Sequence, residues 1–232
     1  MKILVLAPHP FFQARGTPLA VRQVLEFLGE RGHEVDLLTF HEGEDVGIPR
    51  CRIHRIPRLP GVRNVRPGFS AKKVACDAVM LVECLRMVRR VRYDLIHAVE
   101  ESAFIAVAAH AIAGVPYVYD MDSSLADQMV ERYPSLRFAL PVMRYCEGIA
   151  VRRSLGVLTV CAALQDLALK HDPAKSVGRV EDSTLLPTGP SDGSDGALPA
   201  TVRRSGPIAM YVGNLERYQG IDLLLDSFHH VL

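Results

Sequence analysis

The amino-acid sequence predicts an α/β fold of the Rossmann-like kind, in which a parallel sheet is flanked by helices. Short runs of β-branched and leucine residues, typical of buried strands, alternate with longer segments of helical periodicity. Elements that alternate in this way form parallel sheets with right-handed crossovers. The chain of 232 residues is 49% hydrophobic and 23% charged, so it is long enough for one large domain and the beginning of another.

Seven segments have the composition of strands, and three others have helical spacing. The predicted strands are Lys2–Ala7, Glu34–Thr39 and residues 52–56, 95–98, 117–119, 156–160 and 176–180. The predicted helices are residues 18–31, residues 69–92 and the alanine-rich Ser102–Ala113, which should be buried against the sheet. In the helix over residues 69–92 we expect an apolar face made of Val74, Leu81, Leu85, Val88 and Val91.

A change in composition marks a domain boundary near residue 187. Residues 187–206 are rich in Gly, Pro, Ser and Asp and have no apolar period, which is typical of a linker or an exposed loop. We therefore assign residues 1–186 to a first domain and residues 207–232 to the truncated start of a second. One strand and one helix cannot bury a core by themselves, so Leu224 and Phe228 are expected to be exposed or loosely docked.

Charge and cysteine content argue against several classes of protein. The net charge of +1 does not favour a nucleic-acid-binding protein. The sequence contains no run of 18 apolar residues, so it predicts no membrane-spanning helix. The five cysteines are scattered and include no C-x-x-C pair. A zinc site is therefore not expected, and the thiols are those of a reduced, cytoplasmic protein.

The loop after the first predicted strand, residues 8–17, is the first candidate for ligand binding. Ligands of open α/β sheets sit beyond the carboxyl ends of the strands, and the N–H groups at the start of the following helix favour anions. Gly16 permits close approach of a phosphate or sugar to the backbone, and Arg15 offers a fork of donors. The alternative is a plain strand–helix connection. A dinucleotide site is not favoured, because the loop has no G-x-G-x-x-G pattern.

Three stretches of the chain resemble the family 4 glycosyltransferases of the GT-B fold. They read RGTPLAVRQVLEFLGERGHEVDLLT at the first helix, YDLIHAVEESAFIAVAAHAIAGVPYVYDMDSS in the middle and YVGNLERYQGIDLLLDSF near the end. The resemblance implies two Rossmann-like domains with a cleft between them, in which a sugar passes with retention from a nucleotide-sugar to an acceptor. It also implies that neither a metal ion nor a further cofactor takes part.

The resemblance carries over to individual residues of the first domain. Gly16 matches the loop glycine of the family and stands between Arg15 and Thr17, and all three are expected to bind substrate. Asp122 takes the place of a histidine that many members carry close to the reacting sugar. It is the candidate catalytic residue, able to hold a hydroxyl or to accept its proton. The alternative role of Asp122 is to cap the following helix, since the run DSS suits an N-cap.

Acidic residues follow the fourth and fifth predicted strands at the same edge of the sheet. Glu100, Glu101 and Asp120 are expected to bind sugar hydroxyls, although for the two glutamates a solvated pair remains the alternative. His97 lies within the fourth strand and is expected to be a buried, hydrogen-bonded side chain.

In the second domain, the donor-phosphate residues of the family correspond to Gly213, Asn214, Arg217 and Gln219. An arginine and a lysine usually face the donor diphosphate. Asn214 and Gln219 stand in their places, where they donate hydrogen bonds but carry no charge to offset the leaving phosphate. Arg217 is the candidate substitute for the missing charge.

A basic segment between residues 46 and 76 is a candidate binding surface for the acceptor. It has no acidic residue and eight basic ones, namely Arg50, Arg52, Arg55, Arg58, Arg63, Arg66, Lys72 and Lys73. One interpretation is an ordinary solvated face. The other is that these charges, with Leu59, Val62, Val65 and Phe69 among them, rest on an anionic membrane or bind an anionic lipid-linked acceptor. A single aromatic residue offers no stacking platform for nucleic acid.

The favoured function is a glycosyltransferase of the hexosyl-transferring type in cell-envelope polysaccharide or glycolipid synthesis. We expect it to be cytoplasmic and peripheral on the inner face of the membrane. Two alternatives stay open: a nucleotide-sugar epimerase of the same architecture, and a non-catalytic fragment that binds sugar or nucleotide. Because a GT-B cleft needs both domains, these 232 residues alone are expected to be inactive.

Overall fold

The computed structural model describes residues 1–65, 70–181, 211 and 220–230. The chain divides into two compact units, Met1–Leu185 and Leu186–Leu232. The first unit is built on a seven-stranded sheet. Its strands are β1 (Lys2–Ala7), β2 (Glu34–Thr39), β3 (Cys51–Arg55), β4 (Leu95–Val99), β5 (Tyr117–Met121), β6 (Gly156–Thr159) and β7 (Val177–Arg179).

All neighbouring strands are parallel, in the order β3-β2-β1-β4-β5-β6-β7, which confirms the predicted α/β fold. The chain passes from β1 through β2 to β3 on one side, then crosses to β4 and continues to β7 on the other. Such a switch point opens a crevice beyond the carboxyl ends of the strands. Ala7 of β1 lies beside Thr39 of β2, and Leu6 lies beside Ala98 of β4, so the three strands end at one edge.

Helices cover both faces of the sheet. They are α1 (Gly16–Glu30), α2 (Ala71–Arg90), α3 (Ser102–Ala113), α4 (Leu125–Arg132), α5 (Leu140–Arg153) and α6 (Ala162–His171), with a 3-10 helix, Pro134–Ala139, before α5. The first three lie within two residues of their predicted bounds. Of the other three, a helix was expected to follow Asp122, as α4 does, but no bounds were predicted for it, and α5 and α6 were not predicted. Val142 and Tyr145 of α5 are exposed, so the apolar period of that helix is weak.

The core has two layers, because successive side chains of a strand point to opposite faces of the sheet. Leu4 and Leu6 of β1 belong to the layer that includes the inner sides of α2 and α3. Ile3 and Val5 belong to the layer under α1. Burial on both faces explains why β1 is an unbroken apolar run and does not alternate with polar residues.

The buried face of α2 contains most of the predicted one: Val88 is buried, and Leu81, Leu85 and Val91 pack against the core. Val74 was expected inside but is 46% exposed. The inner row consists of Lys73, Cys76, Met80, Cys84 and Val88. The prediction passed over the cysteines of this row, which behave as small apolar residues when buried. The corrected face carries a lysine to the edge of the core.

Of the second unit, the structure describes Tyr211 and residues 220–230, which contain helix α7 (Ile221–His229). Leu224 and Phe228 of this helix are exposed, as expected. The predicted linker over residues 187–206 lies outside the described residues. Among the helices that are described, none is long and apolar enough to cross a membrane.

Candidate functional site

The carboxyl edge of the sheet gathers charged side chains from several segments of the chain. These segments are the first turns of α1 and α2 and the residues at the ends of β4 and β5. Because the strands are parallel and end in register, the segments meet beside the switch point. Seven residues contact or lie close to one another there, and we call them the edge cluster: Arg15, Thr17, Lys73, Asp77, Glu100, Glu101 and Asp120.

Glu100 links the other members of the edge cluster. Its backbone N–H donates to the carbonyl oxygen of Asp120 (2.9 Å), and its carboxylate accepts from Thr17 Oγ1 (3.4 Å). Burial raises the pKa of Glu100, although the positive charge of Lys73 opposes the shift. Its φ of +50° lies in the left-handed region, which residues other than glycine seldom adopt. A strained backbone and a carboxyl with a raised pKa at one position are typical of functional sites.

Lys73 enters the edge cluster from α2, although from the sequence it was expected only as part of the basic segment. Its side chain is buried. The ammonium group donates to the carbonyl oxygen of Pro8 (2.8 Å) and pairs with the carboxylate of Glu101. Burial lowers the pKa of Lys73. The lysine therefore ties the loop after β1 to the segment after β4.

Asp77 lies one turn along α2 from Lys73 and was not predicted as a site residue from the sequence. Burial raises the pKa of Asp77 to about 6, while the charge of Lys73 opposes the shift and that of Glu100 adds to it. Its Oδ1 atom is buried and has no hydrogen-bond partner among the residues that the structure describes. A carboxyl group that changes protonation near pH 6 is suited to proton transfer.

Asp120, near the end of β5, is held by His97 of β4. His97 Nε2 lies 2.8 Å from Asp120 Oδ2, and both side chains are largely buried. The ring N–H donates to the carboxylate, which then has a fixed orientation. His97 is thus a buried, hydrogen-bonded side chain, as the sequence predicted.

Asp122 comes directly after β5 and is half-buried. The helix cap is Ser124, whose Oγ accepts from the N–H of Asp127 (3.3 Å) at the start of α4. Ser124 Oγ also donates to the buried carboxylate of Glu147 (3.1 Å), which in turn pairs with His171 (3.1 Å). This network supports the turn between β5 and α4 that carries Asp122.

The candidate loop after β1 ends where α1 begins. Gly16 is the first residue of the helix, and Arg15 holds the N-cap position without a side-chain cap hydrogen bond. Burial lowers the pKa of Arg15, and the charge of Glu100 opposes that shift. A Cβ added at Gly16 would meet no atom within 4 Å. Packing within the described residues therefore does not require a glycine here, and the first-turn N–H groups lack intrahelical partners.

Several buried polar atoms without a hydrogen-bond partner lie at this same edge. His9 Nε2 and His41 Nδ1 are two residues past the ends of β1 and β2, Ser123 Oγ is two past β5, and Thr159 ends β6. Burial lowers the pKa of His9 to about 4, so its ring is neutral near pH 7. An unpaired buried polar atom costs about 1–3 kcal/mol. Among the residues described, these four unpaired polar atoms lie at the edge where parallel sheets bind their ligands.

The basic segment divides into structural and exposed charges. Arg55 donates to three backbone carbonyl oxygens of the preceding loops, and Lys73 is buried. Leu59 and Val62 pack against the core and Val65 is buried, which corrects the expectation that these side chains face a membrane. The other described basic residues are exposed: Arg50, Arg52, Arg58, Arg63 and Lys72. Arg66 and Phe69 lie outside the described residues.

The predicted donor-phosphate residues of the second unit also lie outside the described residues. They are Gly213, Asn214, Arg217 and Gln219, and their role stays a prediction. In the part of the chain that the structure describes, no group of His, Cys, Asp and Glu side chains is arranged to hold a metal ion.

A parallel sheet with buried charged groups at its switch-point edge defines a Rossmann-like α/β domain. Residues 15–179 match the family described as "Glycosyl transferase 4-like domain", and the chain belongs to that family. The family resemblance of the sequence is thereby confirmed. No curated protein sequence matches this chain significantly.

Solved structures share the fold at low sequence identity. Sucrose-phosphate synthase from Thermosynechococcus elongatus matches with a TM-score of 0.60 and 17% identity over 79% of this chain and 48% of that chain. A second sucrose-phosphate synthase structure from that organism has a TM-score of 0.56 and 14% identity over 80% of this chain and 91% of that one. Glycyrrhiza uralensis UGT73P12, complexed with glycyrrhetinic acid 3-O-monoglucuronide, has a TM-score of 0.50 and 14% identity over 76% and 48%. The chain thus spans about half the length of the first and third.

Proposed function

We propose that this domain is the acceptor-side half of a retaining glycosyltransferase. The enzyme would move a sugar from a nucleotide-sugar to a glycan or lipid-linked acceptor in the synthesis of cell-envelope polysaccharide or glycolipid. The observation that supports this proposal is the edge cluster within a glycosyl transferase 4-like domain. The carboxylates of Glu100, Glu101 and Asp120 stand at the ends of β4 and β5, and carboxylates accept hydrogen bonds from sugar hydroxyls.

Several residues at this edge of the sheet have a role in the proposed reaction. Asp122 holds the reacting hydroxyl of the acceptor and accepts its proton while the glycosidic bond forms and the nucleotide leaves. Asp120, oriented by His97, and Glu100 accept hydrogen bonds from neighbouring hydroxyls. Arg15 and the N–H groups at the start of α1 stabilise the charge that develops on the donor phosphate.

The proposal extends to the donor and to location. By the family resemblance, Gly213, Asn214, Arg217 and Gln219 would contact the donor phosphates. Peripheral attachment to the inner face of a membrane would be electrostatic, because the apolar side chains of the basic segment that the structure describes face the core. No metal ion is expected to take part, so a chelator should leave the rate unchanged.

A transfer assay on the natural polypeptide that contains these 232 residues tests the proposal. Nucleotide-sugars are incubated with the protein, with and without a panel of sugar acceptors. We expect the donor to be consumed rapidly only when an acceptor is present. Conversion of the donor sugar to an epimer without any acceptor would make the protein a nucleotide-sugar epimerase. Binding without any turnover would make it a non-catalytic binding domain.

A further inference from the structure

The Lys73 ammonium group lies where three segments at the edge of the sheet meet. It donates to the carbonyl oxygen of Pro8 in the loop after β1 (2.8 Å) and pairs with the carboxylate of Glu101 in the segment after β4. The ring of Phe40, the first residue after β2, lies with its centroid 5.6 Å from Lys73 Nζ. Only 10% of the lysine side chain is exposed. The ammonium group is therefore held in one position and largely shielded from water.

The start of α2 fixes the direction from which Lys73 enters. Ser70 Oγ accepts from the backbone N–H of Lys73 (3.2 Å) and caps the helix. The inner row of α2 continues through Cys76 and Met80, which are fully buried. The apolar stem of the lysine extends from this row to the edge of the sheet, so the charge reaches the edge cluster from inside the core.

The groups around Lys73 contain more acids than bases. Burial lowers the pKa of His9 to about 4 and raises that of the Cys76 thiol to about 11, so both are neutral near pH 7. Three carboxyl groups therefore share two cations, Lys73 and Arg15. Among the described residues, the titratable groups that face the ammonium group are His9, Arg15, Cys76, Asp77, Glu100 and Glu101.

Lys73 favours the charged form of two of these carboxyl groups. Burial raises the pKa of Asp77 and that of Glu100, and in both cases the charge of Lys73 opposes the rise. The charge of Asp120 adds to the rise in Glu100. Neighbouring carboxyl groups at a partly buried site do not all stay ionised without a cation beside them. Removal of the ammonium group should therefore leave part of them protonated near pH 7.

The ionisation of Glu100 decides which hydrogen bonds it can make. A carboxylate accepts at both oxygens, whereas a protonated carboxyl group uses one of its oxygens as a donor. Thr17 Oγ1 already donates to Glu100 (3.4 Å), so protonation would leave less capacity to accept from sugar hydroxyls. The ion pair of Lys73 and Glu101 also holds the residue that follows Glu100, whose φ of +50° persists only where its neighbours support it.

We propose that Lys73 is a positioning residue of the acceptor site, an inference that rests on the proposed function. Its ammonium group fixes the turn that carries Glu100 and keeps the neighbouring carboxylates charged, so that they accept hydrogen bonds from the acceptor hydroxyls. Lys73 acts through these partners, since its ammonium group already binds Pro8 and Glu101.

Carboxyl ¹³C NMR tests the inference on the natural polypeptide that contains these residues, without any turnover. The signals of Asp77 and Glu100 are assigned with Asp77→Asn and Glu100→Gln and followed from pH 4 to pH 9. In Lys73→Gln the titration midpoint of Asp77 should rise from about 6 by about one unit or more, because a neighbouring cation is lost, and that of Glu100 should rise as well. Lys170→Gln, at an exposed lysine of α6, is the matched control and should leave both midpoints unchanged. Unchanged midpoints in Lys73→Gln would overturn the inference.

A second variant serves if Lys73→Gln does not fold, since removing one partner of a largely buried ion pair is strongly destabilising. Lys73→Met/Glu101→Gln removes both charges of the pair. Within the described residues, the charge of Glu101 is not one of those that shift Asp77 or Glu100. Both midpoints should therefore rise in the double variant as well, and midpoints like those of the parent would again overturn the inference.

The pH dependence of transfer separates this role from a purely structural one. The kcat/KM for the acceptor is measured at pH 6 and pH 8 in the parent, Lys73→Gln and Lys170→Gln. The loss in Lys73→Gln should be greater at pH 6, by up to about tenfold for a shift of one unit, because its carboxyl groups are protonated there. A loss of equal size at both pH values would make Lys73 structural only and would overturn the inference. Shifted midpoints in a protein that transfers no sugar contradict only the proposed function, whereas transfer with the parental pH profile in Lys73→Gln contradicts only this inference.

Discussion

Replacing Asp77 with asparagine tests whether the edge cluster keeps a buried charge at the expense of stability. Burial raises the pKa of Asp77 from 3.8 to about 6, a shift of about two units, which corresponds to about 3 kcal/mol. Between pH 4 and pH 6 the folded chain therefore binds more protons than the unfolded chain. The contribution of this group to the free energy of unfolding falls as pH rises through that window. Asparagine has a similar shape and no charge, so it avoids the cost at higher pH.

We expect Asp77→Asn to raise the free energy of unfolding at pH 8 by about 2 kcal/mol, since residual exposure screens part of the full value. For a chain of this size the melting temperature should rise by roughly 4–8 °C. At pH 4 the variant and the parent should melt together. Differential scanning calorimetry at both pH values measures the difference, with Asp166→Asn on the exposed side of α6 as the control. A gain of equal size at both pH values, or none at pH 8, would refute the reasoning.

Three further substitutions address the site. Asp122→Asn should lower the transfer rate by about 10²-fold with little change in melting temperature, because Ser124 caps the helix; parental rates with reduced stability would make Asp122 structural. Gly16→Val should leave the fold intact, since a Cβ there meets no atom within 4 Å, but should weaken substrate binding in calorimetry. Unchanged binding would show that the ligand does not approach this loop. Glu100→Gly should gain about 1 kcal/mol of stability by relieving the positive φ and lose activity, and a loss of stability would mean that the carboxylate contacts outweigh the strain.

The centre of the sheet was predictable from the sequence because strands β1, β2 and β4 are buried on both faces. An apolar run such as Lys2–Ala7 is short, rich in β-branched and leucine residues, and bounded by turn residues, and β1 and β2 match their predicted bounds to the residue. Helix α5 was not predicted, because exposed apolar residues such as Val142 and Tyr145 interrupt the apolar period that marks a buried face.

The site residues at the ends of strands were predictable from the sequence. Those whose position depends on the rotation of a helix were not. Glu100 and Asp120 stand at the ends of parallel strands, and a parallel sheet brings those ends together. Lys73 and Asp77 belong to the cluster only because α2 turns them inward. The available signal was the row of residues at helical spacing from Lys73 through Cys76 to Met80, which becomes visible when cysteine is counted as apolar.

The configuration of the transferred sugar tests the central claim most directly. The natural polypeptide that contains these residues is incubated with a nucleotide-sugar of known anomeric configuration and with acceptors, and the product is examined by ¹H NMR. We predict that the product keeps the configuration of the donor, and that its rate of formation falls about 10²-fold in Asp122→Asn but not in Asp166→Asn. An inverted product, an epimer formed without acceptor, or equal rates in all three proteins would contradict a retaining glycosyltransferase whose site lies at this edge.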